Sequence, residues 1–262
     1  MKLIVSDVDG TLFPHHTVKN PNQLEENIQA IKRWVDQGNH FAIASARGIR
    51  EVERFKNLLG FPLHFIGSNG AGIQLVDGTK IEQHINSEIY YTILDLVDRN
   101  QWDASVVCSI DYKWLWRDLN HYPLNQDEVY NALAKNITLA KDGEIPHDYP
   151  ITKVSIFLHP TLRDVVKKEI ENLGFEVAIT TCDVDMIDVI PQNASKANGI
   201  LEVCKQLNIS IDDVYVVGDS ENDISMFNVT KNSYCIDHAE DKVKENASCI
   251  VSSVSEMIEG LL

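Results

Sequence analysis

Positive charge is scarce in this sequence of 262 residues, which contains 23 Lys and Arg residues against 39 Asp and Glu residues. The resulting formal net charge of −16 argues against a nucleic acid or an anionic membrane as a general partner, since both repel an acidic protein. No apolar run approaches the roughly 18–20 residues that a membrane-spanning helix needs. Asp7 follows the start too early for the apolar region of a signal peptide. We therefore expect a cytoplasmic protein.

Cysteine is also sparse and lacks the pairing that a disulfide framework or a zinc site requires. The five cysteines are odd in number, and no two of them form a C-x-x-C motif. We expect them to be scattered free thiols: Cys108, Cys182, Cys204, Cys235 and Cys249.

The first part of the chain alternates short apolar runs with helical patterns. Residues 3–5, 41–44 and 65–66 are apolar runs typical of buried strands. Between them, residues 24–35 and 49–59 place apolar side chains at helical spacing, and each stretch ends near a glycine. Strands and helices in alternation predict right-handed crossovers and a parallel sheet that is covered on both faces.

The pattern changes between residues 82 and 191 and then returns. In this middle stretch we predict helices near residues 87–99 and 162–173. Predicted strands lie at residues 104–110, 114–117, 153–158, 176–181 and 186–190. After Pro191 a helix with apolar positions from 200 to 207 and a strand at 214–217 resume the alternation. We therefore predict an α/β fold with a Rossmann-like core, residues 1–81 and 192–262, and an inserted α+β domain, residues 82–191.

Polar side chains follow three of the predicted parallel strands. They are Asp7 with Asp9, Ser45, and Asp219 with Asp223. Ligands of open parallel sheets bind at the carboxyl ends of the strands, so these groups should converge. Four carboxylates in one crevice repel each other unless a cation lies among them, and oxygen donors of this kind suit Mg²⁺.

The sequence resembles the haloacid dehalogenase (HAD) superfamily at four motifs in the same order. Residues 7–12, Asp-Val-Asp-Gly-Thr-Leu, are similar to its D-x-D-G-T-L signature, and residues 218–223, Gly-Asp-Ser-Glu-Asn-Asp, to its G-D-x-x-N-D signature. Lys196 matches the lysine motif, and Ser45 matches the strand-end Ser/Thr. The large insertion and the segment Ser-Asn-Gly-Ala at 68–71 resemble the Cof-type phosphatases, whose cap domain is inserted there.

This resemblance implies a role for each matching residue. Asp7 would be the nucleophile that forms an aspartyl-phosphate, Asp9 the general acid and base, and Lys196 the group that neutralises the developing charge. The implied phosphate-binding residues are Gly10, Thr11, Ser45, Ala46, Lys196 and Asn222. The implied Mg²⁺ site comprises Asp7, Asp9, Asp219 and Asp223. Further contacts to the substrate are expected from Arg47 and Asn69.

Each of these residues also has a structural interpretation. Asp7 and Asp9 could be ordinary turn residues, Ser45 and Asp223 could cap helices, and Lys196 could be a solvated lysine. Alanine at position 46 departs from the usual T-G-R motif, which leaves the role of Arg47 less defined than that of Ser45.

The sequence therefore predicts a Mg²⁺-dependent phosphatase that hydrolyses a small phosphorylated metabolite. The inserted cap would close over that substrate and select its leaving group. Two alternatives are a phosphomutase of the phosphomannomutase type, which returns the phosphoryl group to a sugar, and a non-catalytic protein that binds a phosphorylated metabolite.

Overall fold

The computed structural model describes residues 1–14, 20–110, 113–116, 150–183 and 185–262. The chain forms two compact units, of which the first contains Met1–Ile81 and Ser195–Leu262 and the second contains Glu82–Ala194. Their second junction lies three residues beyond the expected one at 191/192. Residues 192–194 turn back on the preceding strand, and the amide of Ala194 donates to the carbonyl of Pro191 over 2.8 Å. None of the described helices has the length and apolar character needed to cross a membrane.

The described part of the chain contains strands and helices in the following order. The strands are β1 (Leu3–Ser6), β2 (Asp9–Gly10), β3 (Phe13–Pro14), β4 (His40–Ala44), β5 (His64–Gly67), β6 (Gly72–Gln74), β7 (Lys80–Glu82), β8 (Ile85–Asn86), β9 (Ala104–Ile110), β10 (Lys113–Trp116), β11 (Pro150–Ile151), β12 (Lys153–Leu158), β13 (Val177–Asp183), β14 (Met186–Pro191), β15 (Val214–Gly218), β16 (Ser233–Ile236) and β17 (Cys249–Val251). The helices are α1 (Gln23–Asp36), α2 (Val52–Leu59), α3 (Ser87–Asn100), α4 (Arg163–Glu171), α5 (Lys196–Leu207), α6 (Ile224–Phe227), α7 (Asp241–Lys244) and α8 (Val254–Glu259).

The first unit is built on an eight-stranded sheet in the order β17-β16-β15-β1-β4-β5-β6-β7. The six strands from β17 to β5 are parallel, and β6 is antiparallel to β5. Successive residues of β1 point to opposite faces, so Ile4 joins the cluster that includes α1, α2 and α8, whereas Leu3 and Val5 join the cluster that includes α5, α6 and α7. The predicted α/β fold with helices on both faces of a parallel sheet is confirmed. The short strands β2, β3, β6 and β7 were not predicted.

The second unit contains a five-stranded antiparallel sheet in the order β10-β9-β12-β14-β13. Apolar residues on one face of this sheet pack against α3 and α4, as the alternation of Val154, Ile156 and Leu158 in β12 illustrates. The predicted helices and strands of this stretch are present with ends shifted by up to two residues. Arg117, the end of one predicted strand, lies outside the described residues.

A buried ion pair lies on the other face of that sheet. The Nζ atom of Lys153 is 2.9 Å from Oδ2 of Asp188, and the hydroxyl of Ser155 donates to Oδ1 of Asp188 over 2.6 Å. All three residues are at most 2% exposed. Ser155 is opposite Asp188 in the pairing of β12 with β14, so the sheet register brings the acid and its partners together. Sequence analysis did not identify this group.

Candidate active site

Three polar residues follow neighbouring parallel strands at one edge of the first unit's sheet. Asp7 follows β1, Ser45 follows β4 and Asp219 follows β15, and β1 pairs with both of the other strands. The amide of Asp7 donates to the carbonyl of Val217 in β15 over 2.9 Å, which extends the ladder to the site itself. The three strand ends therefore lie at the same edge of the sheet.

Lys196 joins two of the carboxylates in the interior of the unit. It is the first residue of α5, and its Nζ atom lies 2.6 Å from Oδ1 of Asp7 and 2.5 Å from Oδ1 of Asp223. Its side chain is completely buried. Burial alone would lower the pKa of Lys196, but the charges of Asp223 and Asp7 and the hydrogen bonds to both raise it. The lysine is therefore held as a cation.

The glycine-containing turn after β5 fixes the start of α5. Gly70 has a φ of +99°, and a Cβ atom there would overlap the backbone carbonyl of Ser195. Ser195 caps α5 by accepting a hydrogen bond from the amide of Asn198 over 3.0 Å. The close approach of this turn to Ser195 therefore sets where Lys196 enters the site.

The carboxylates exceed the positive charge available to them. Among the described residues, the group of acids whose ligand atoms lie within 4.8 Å of one another consists of Asp7, Asp219 and Asp223. Burial is the main cause that raises the pKa of Asp7 to about 8; Lys196 opposes the shift, and the charges of Asp223 and Asp219 add to it. One lysine leaves this group with surplus negative charge. Oxygen donors at this spacing fit a divalent cation such as Mg²⁺.

Asp223 organises the turn that follows β15. Its Oδ2 atom accepts hydrogen bonds from the amides of Asp219 and Ser220, each over 2.9 Å, while Oδ1 contacts Lys196. The hydroxyl of Ser220 also donates to Oδ1 of Asn222 over 2.7 Å. Asp223 and Ser220 form the capping box that begins the next helical turn. The capping interpretation and the proximity of Asp223 to Lys196 are therefore compatible.

Asp219 is held from three sides. The hydroxyl of Thr11 donates to its Oδ1 atom over 2.5 Å, and Nε2 of His238 lies 3.4 Å from its Oδ2 atom. Gly10, with a φ of +93°, packs so closely that a Cβ atom there would overlap the carboxylate. Thr11 was predicted to bind phosphate, but its hydroxyl is directed to Asp219. Burial raises the pKa of Asp219, and the hydrogen bond from Thr11 opposes that shift.

Asp9 is tied to Arg47 through both carboxylate oxygens. The Nε atom of Arg47 donates to Oδ2 over 2.9 Å and a terminal nitrogen donates to Oδ1 over 2.8 Å. The Asp9 side chain is 61% exposed and that of Arg47 is 38% exposed. Arg47 was expected to contact a substrate, and here its contact is with the predicted general acid. The Asp9 carboxylate therefore stands apart from the buried acidic group.

Ser45 and the turn at 68–70 form the neighbouring wall. The hydroxyl of Ser45 accepts from the amide of Arg47 over 3.1 Å, and its carbonyl accepts from the amide of Asn69 over 3.0 Å. Gly48, three residues later, occupies the N-cap of the next helical turn, so Ser45 does not cap it. Ser68 and Asn69 both have left-handed backbone angles, with φ of 50° and 52°. Such strain in buried non-glycine residues is typical of functional sites.

The structure thus brings the predicted residues into two groups. One group contains Ser45, Ala46, Arg47 and Asp9, and the other surrounds Lys196. His238 is the residue that sequence analysis missed. It follows β16, and the strand-end reasoning applied elsewhere would have pointed to it.

Comparison with known proteins identifies the family. The sequence profile of the haloacid dehalogenase-like hydrolases matches residues 4–261. The chain belongs to this family. The predicted HAD membership and the hydrolase class are therefore confirmed, and the match covers both units of the chain.

Several curated relatives of this HAD hydrolase carry phosphatase names. A 5-amino-6-(5-phospho-D-ribitylamino)uracil phosphatase of Bacillus subtilis is 26% identical over 281 residues, which cover 98% of this chain and 94% of the relative. An HMP-PP phosphatase of an Enterobacter species is 22% identical, covering 86% of this chain and 80% of the relative.

Solved structures share the HAD fold over the full chain. An HAD/COF-like hydrolase from Plasmodium vivax has a TM-score of 0.82 at 23% identity, covering 100% of this chain and 95% of the other. A sugar phosphatase of HAD subclass IIB has a TM-score of 0.79 at 17% identity, covering 100% of this chain and 99% of the other. The fold of this hydrolase is therefore that of the Cof-like members of the superfamily.

Proposed function

We propose that this hydrolase is a Mg²⁺-dependent phosphatase that hydrolyses a small phosphorylated metabolite through an aspartyl-phosphate on Asp7. The observation that carries the proposal is the buried contact of Lys196 with both Asp7 and Asp223. A lysine and three acids enclosed at the end of a parallel sheet are costly to maintain without a catalytic use, because buried charges add little stability.

Asp7 serves as the nucleophile in this proposal. One of its carboxylate oxygens forms a bond to phosphorus while the bond from phosphorus to the leaving alcohol breaks. Water then attacks the aspartyl-phosphate, which releases inorganic phosphate and restores the carboxylate. Lys196 holds Oδ1 of Asp7 at 2.6 Å and so fixes the carboxylate for in-line attack.

Ser45, Lys196 and the turn at Gly10 bind the phosphoryl group. Ser45 follows β4 at the same sheet edge as Asp7, so its hydroxyl can donate to a phosphoryl oxygen there. Gly10 has a positive φ, which permits a tight turn, and the proposal assigns the backbone amides of residues 10 and 11 to the phosphoryl oxygens. Asn222 adds an amide from the turn after β15. Such fixed donors stabilise the charge that develops in the transition state.

The carboxylates of Asp7, Asp219 and Asp223 are the residues that would hold Mg²⁺, together with the backbone carbonyl of Asp9. The ion would neutralise the surplus negative charge and withdraw electron density from the phosphoryl oxygens. Asp223 already shares its two oxygens between Lys196 and two backbone amides. The main contribution of Asp223 would therefore be to hold Lys196 and the turn, and direct binding of the ion would fall mainly to Asp7 and Asp219.

Asp9 transfers the protons. It gives a proton to the oxygen of the leaving alcohol and later takes one from the attacking water. Its pairing with Arg47 occupies both oxygens, so Arg47 must release at least one of them before a proton can be carried. An anionic substrate competes for the guanidinium of Arg47 and frees Asp9 as it binds.

The proposed substrate class is a small phosphorylated metabolite. The relatives named above act, by their names, on a phosphorylated ribitylaminouracil and on HMP-PP, and a protein of the same fold is named a sugar phosphatase. Three different metabolites at 17–26% identity support the class and no single member of it. The proposal assigns the choice among them to the second unit, Glu82–Ala194, which interrupts the first unit in the chain.

The proposal is tested by hydrolysis of a panel of phosphorylated metabolites and p-nitrophenyl phosphate, with Mg²⁺ and with a chelator. Asp7→Asn should abolish turnover, and radiolabelled phosphate from substrate should no longer become bound to the protein. Asp164→Asn is the matched control, because this aspartate is 91% exposed and belongs to the second unit. Retained turnover in purified Asp7→Asn protein would rule out Asp7 as the nucleophile.

The same panel separates the two alternatives. Isomerisation of a sugar monophosphate that is stimulated by its bisphosphate would identify a phosphomutase. Tight binding of a phosphorylated metabolite without release of phosphate would identify a binding protein. The presence of Asp7, Asp9, Lys196 and Asp219 together favours turnover over mere binding.

A further inference from the structure

His238 lies next to the acidic group, and none of the roles above makes use of it. Its Nε2 atom is 3.4 Å from Oδ2 of Asp219, and its side chain is 27% exposed. It follows β16, which is parallel to β15, so it reaches the site from the same edge of the sheet as Asp219. A histidine so close to a proposed metal ligand can bind the ion directly or orient the ligand.

The surroundings of Asp219 favour the second possibility. Thr11 donates to Oδ1, and Oδ2 lies between Gly10 and the ring of His238. Each carboxylate oxygen therefore has its own neighbour, and the plane of the carboxylate is fixed before any ion arrives. A ligand that is already oriented loses less conformational freedom on binding, which raises the affinity of the site.

The spacing of the ligand atoms points the same way. Among the described residues, the group with all ligand atoms within 4.8 Å of one another contains three aspartates and no histidine. The ring nitrogens of His238 are thus not within this distance of all three acids, although Nε2 is 3.4 Å from Asp219.

The segment that carries His238 also contacts the metal-binding turn at a second point. Lys242, in α7, forms an ion pair with Glu221, which lies two residues after Asp219. Lys242 also contacts Glu240 over 2.9 Å, within its own segment. Residues 238–242 therefore touch the turn at both Asp219 and Glu221, and His238 is the contact that reaches a proposed ligand.

We propose that His238 is a positioning residue that donates its Nε2–H to Oδ2 of Asp219 and thereby strengthens the binding of Mg²⁺. This inference rests on the proposed function, because it takes Asp219 as a metal ligand. Removal of a hydrogen-bond partner behind a metal ligand typically weakens metal binding by about 10- to 100-fold. The loss of Mg²⁺ affinity on removal of the His238 side chain should fall in this range.

The test is calorimetric titration of the metal-free, full-length protein with Mg²⁺ alone. His238→Leu should bind Mg²⁺ about 10- to 100-fold more weakly than the wild type. His238→Gln should retain most of the affinity, since its amide nitrogen can donate from nearly the same position. His84→Leu is the matched control, because Nε2 of His84 lies 3.5 Å from a carboxylate oxygen of Glu82, which is not in the acidic group.

Two further measurements distinguish positioning from other roles. Saturating Mg²⁺ should restore kcat of His238→Leu to near the wild-type value, which a misfolded site would not allow. Pulsed electron paramagnetic resonance of the Mn²⁺-loaded wild type should show no coupling to a directly bound nitrogen. Unchanged Mg²⁺ affinity in His238→Leu, or a nitrogen coupling from His238, would overturn the inference.

The outcomes also separate this inference from the proposed function. Wild-type protein that binds Mg²⁺ but releases phosphate from no substrate would refute the phosphatase, while the comparison of affinities would still decide the role of His238. Wild-type turnover with equal Mg²⁺ affinity in His238→Leu would refute only the positioning role. A wild-type protein that binds no Mg²⁺ would refute both.

Discussion

A buried histidine, His64, should make the first unit sensitive to acid. His64 begins β5 and is 2% exposed, and its Nε2 atom lies 3.1 Å from Nδ1 of His40 at the start of β4. The amide of Val76 donates to Nδ1 of His64 over 3.3 Å, so this nitrogen must be unprotonated. Burial, with a smaller contribution from His40, lowers the pKa of His64 from 6.5 to about 4.

The shift in the pKa of His64 sets both the sign and the size of the change in stability with pH. The folded protein binds a proton at His64 less readily than the unfolded chain, so its contribution to stability is complete above pH 6.5 and is lost as the pH falls toward 4. Linkage over these two pKa values lowers the free energy of unfolding by about 2 kcal/mol between pH 7 and pH 5, and by about 3 kcal/mol between pH 7 and pH 4.

Urea unfolding at pH 7, 5 and 4, in the presence of a chelator, measures this loss. His64→Asn keeps an acceptor for the amide of Val76 but does not titrate, so its stability should fall by about 2 kcal/mol less than that of the wild type between pH 7 and pH 5. His159→Asn is the control, because the exposed His159 also accepts from a backbone amide, that of Thr161. An equal pH dependence in wild type and His64→Asn would refute the reasoning.

Three further outcomes follow from the other ion pairs. Arg47→Ala should raise KM for an alkyl phosphate by about tenfold or more and change kcat much less, because the substrate loses the guanidinium that it would take over from Asp9 while Asp9 is already free. Arg47→Lys should restore part of the difference. Lys153→Met should reduce the free energy of unfolding in urea by about 3–5 kcal/mol, since it leaves Asp188 buried without its lysine, and Asp188→Leu added to it should recover much of the loss. Lys196→Met should abolish turnover in the same phosphatase assay, whereas an unaltered rate would remove Lys196 from the mechanism.

The elements that sequence analysis predicted are those with a strong local signal. β1, β4 and β15 are continuous apolar runs, as strands buried on both faces must be, and each of the long helices has an apolar stripe with a glycine or polar stop nearby. The site residues at the ends of these strands were predicted because the parallel topology itself brings such ends together. The place of these residues in the fold could therefore be predicted from local sequence patterns and one topological rule.

The contacts between side chains could not be predicted from the sequence in the same way. Thr11 and Asp219 are separated by 208 positions, and Arg47 and Asp9 by 38, so their contacts depend on how loops meet after folding. The pairing of Lys153 with Asp188 depends on the register of two antiparallel strands. A shift of one residue would move the side chains of one strand to the opposite face of the sheet. Apolar periodicity carries no information about such contacts. Residue types could be assigned to the site, but their partners could not.

These partners change how an acidic protein of net charge −16 can bind an anion. Among the described residues, Lys196 is paired with Asp7 and Asp223, and Arg47 is paired with Asp9. Beyond the neutral hydrogen-bond donors proposed above, a phosphate therefore gains attraction where a divalent ion adds charge or where it displaces an existing carboxylate partner. Because Asp9 is the carboxylate that Arg47 would release, the arrival of the substrate and the freeing of the proposed general acid become a single event.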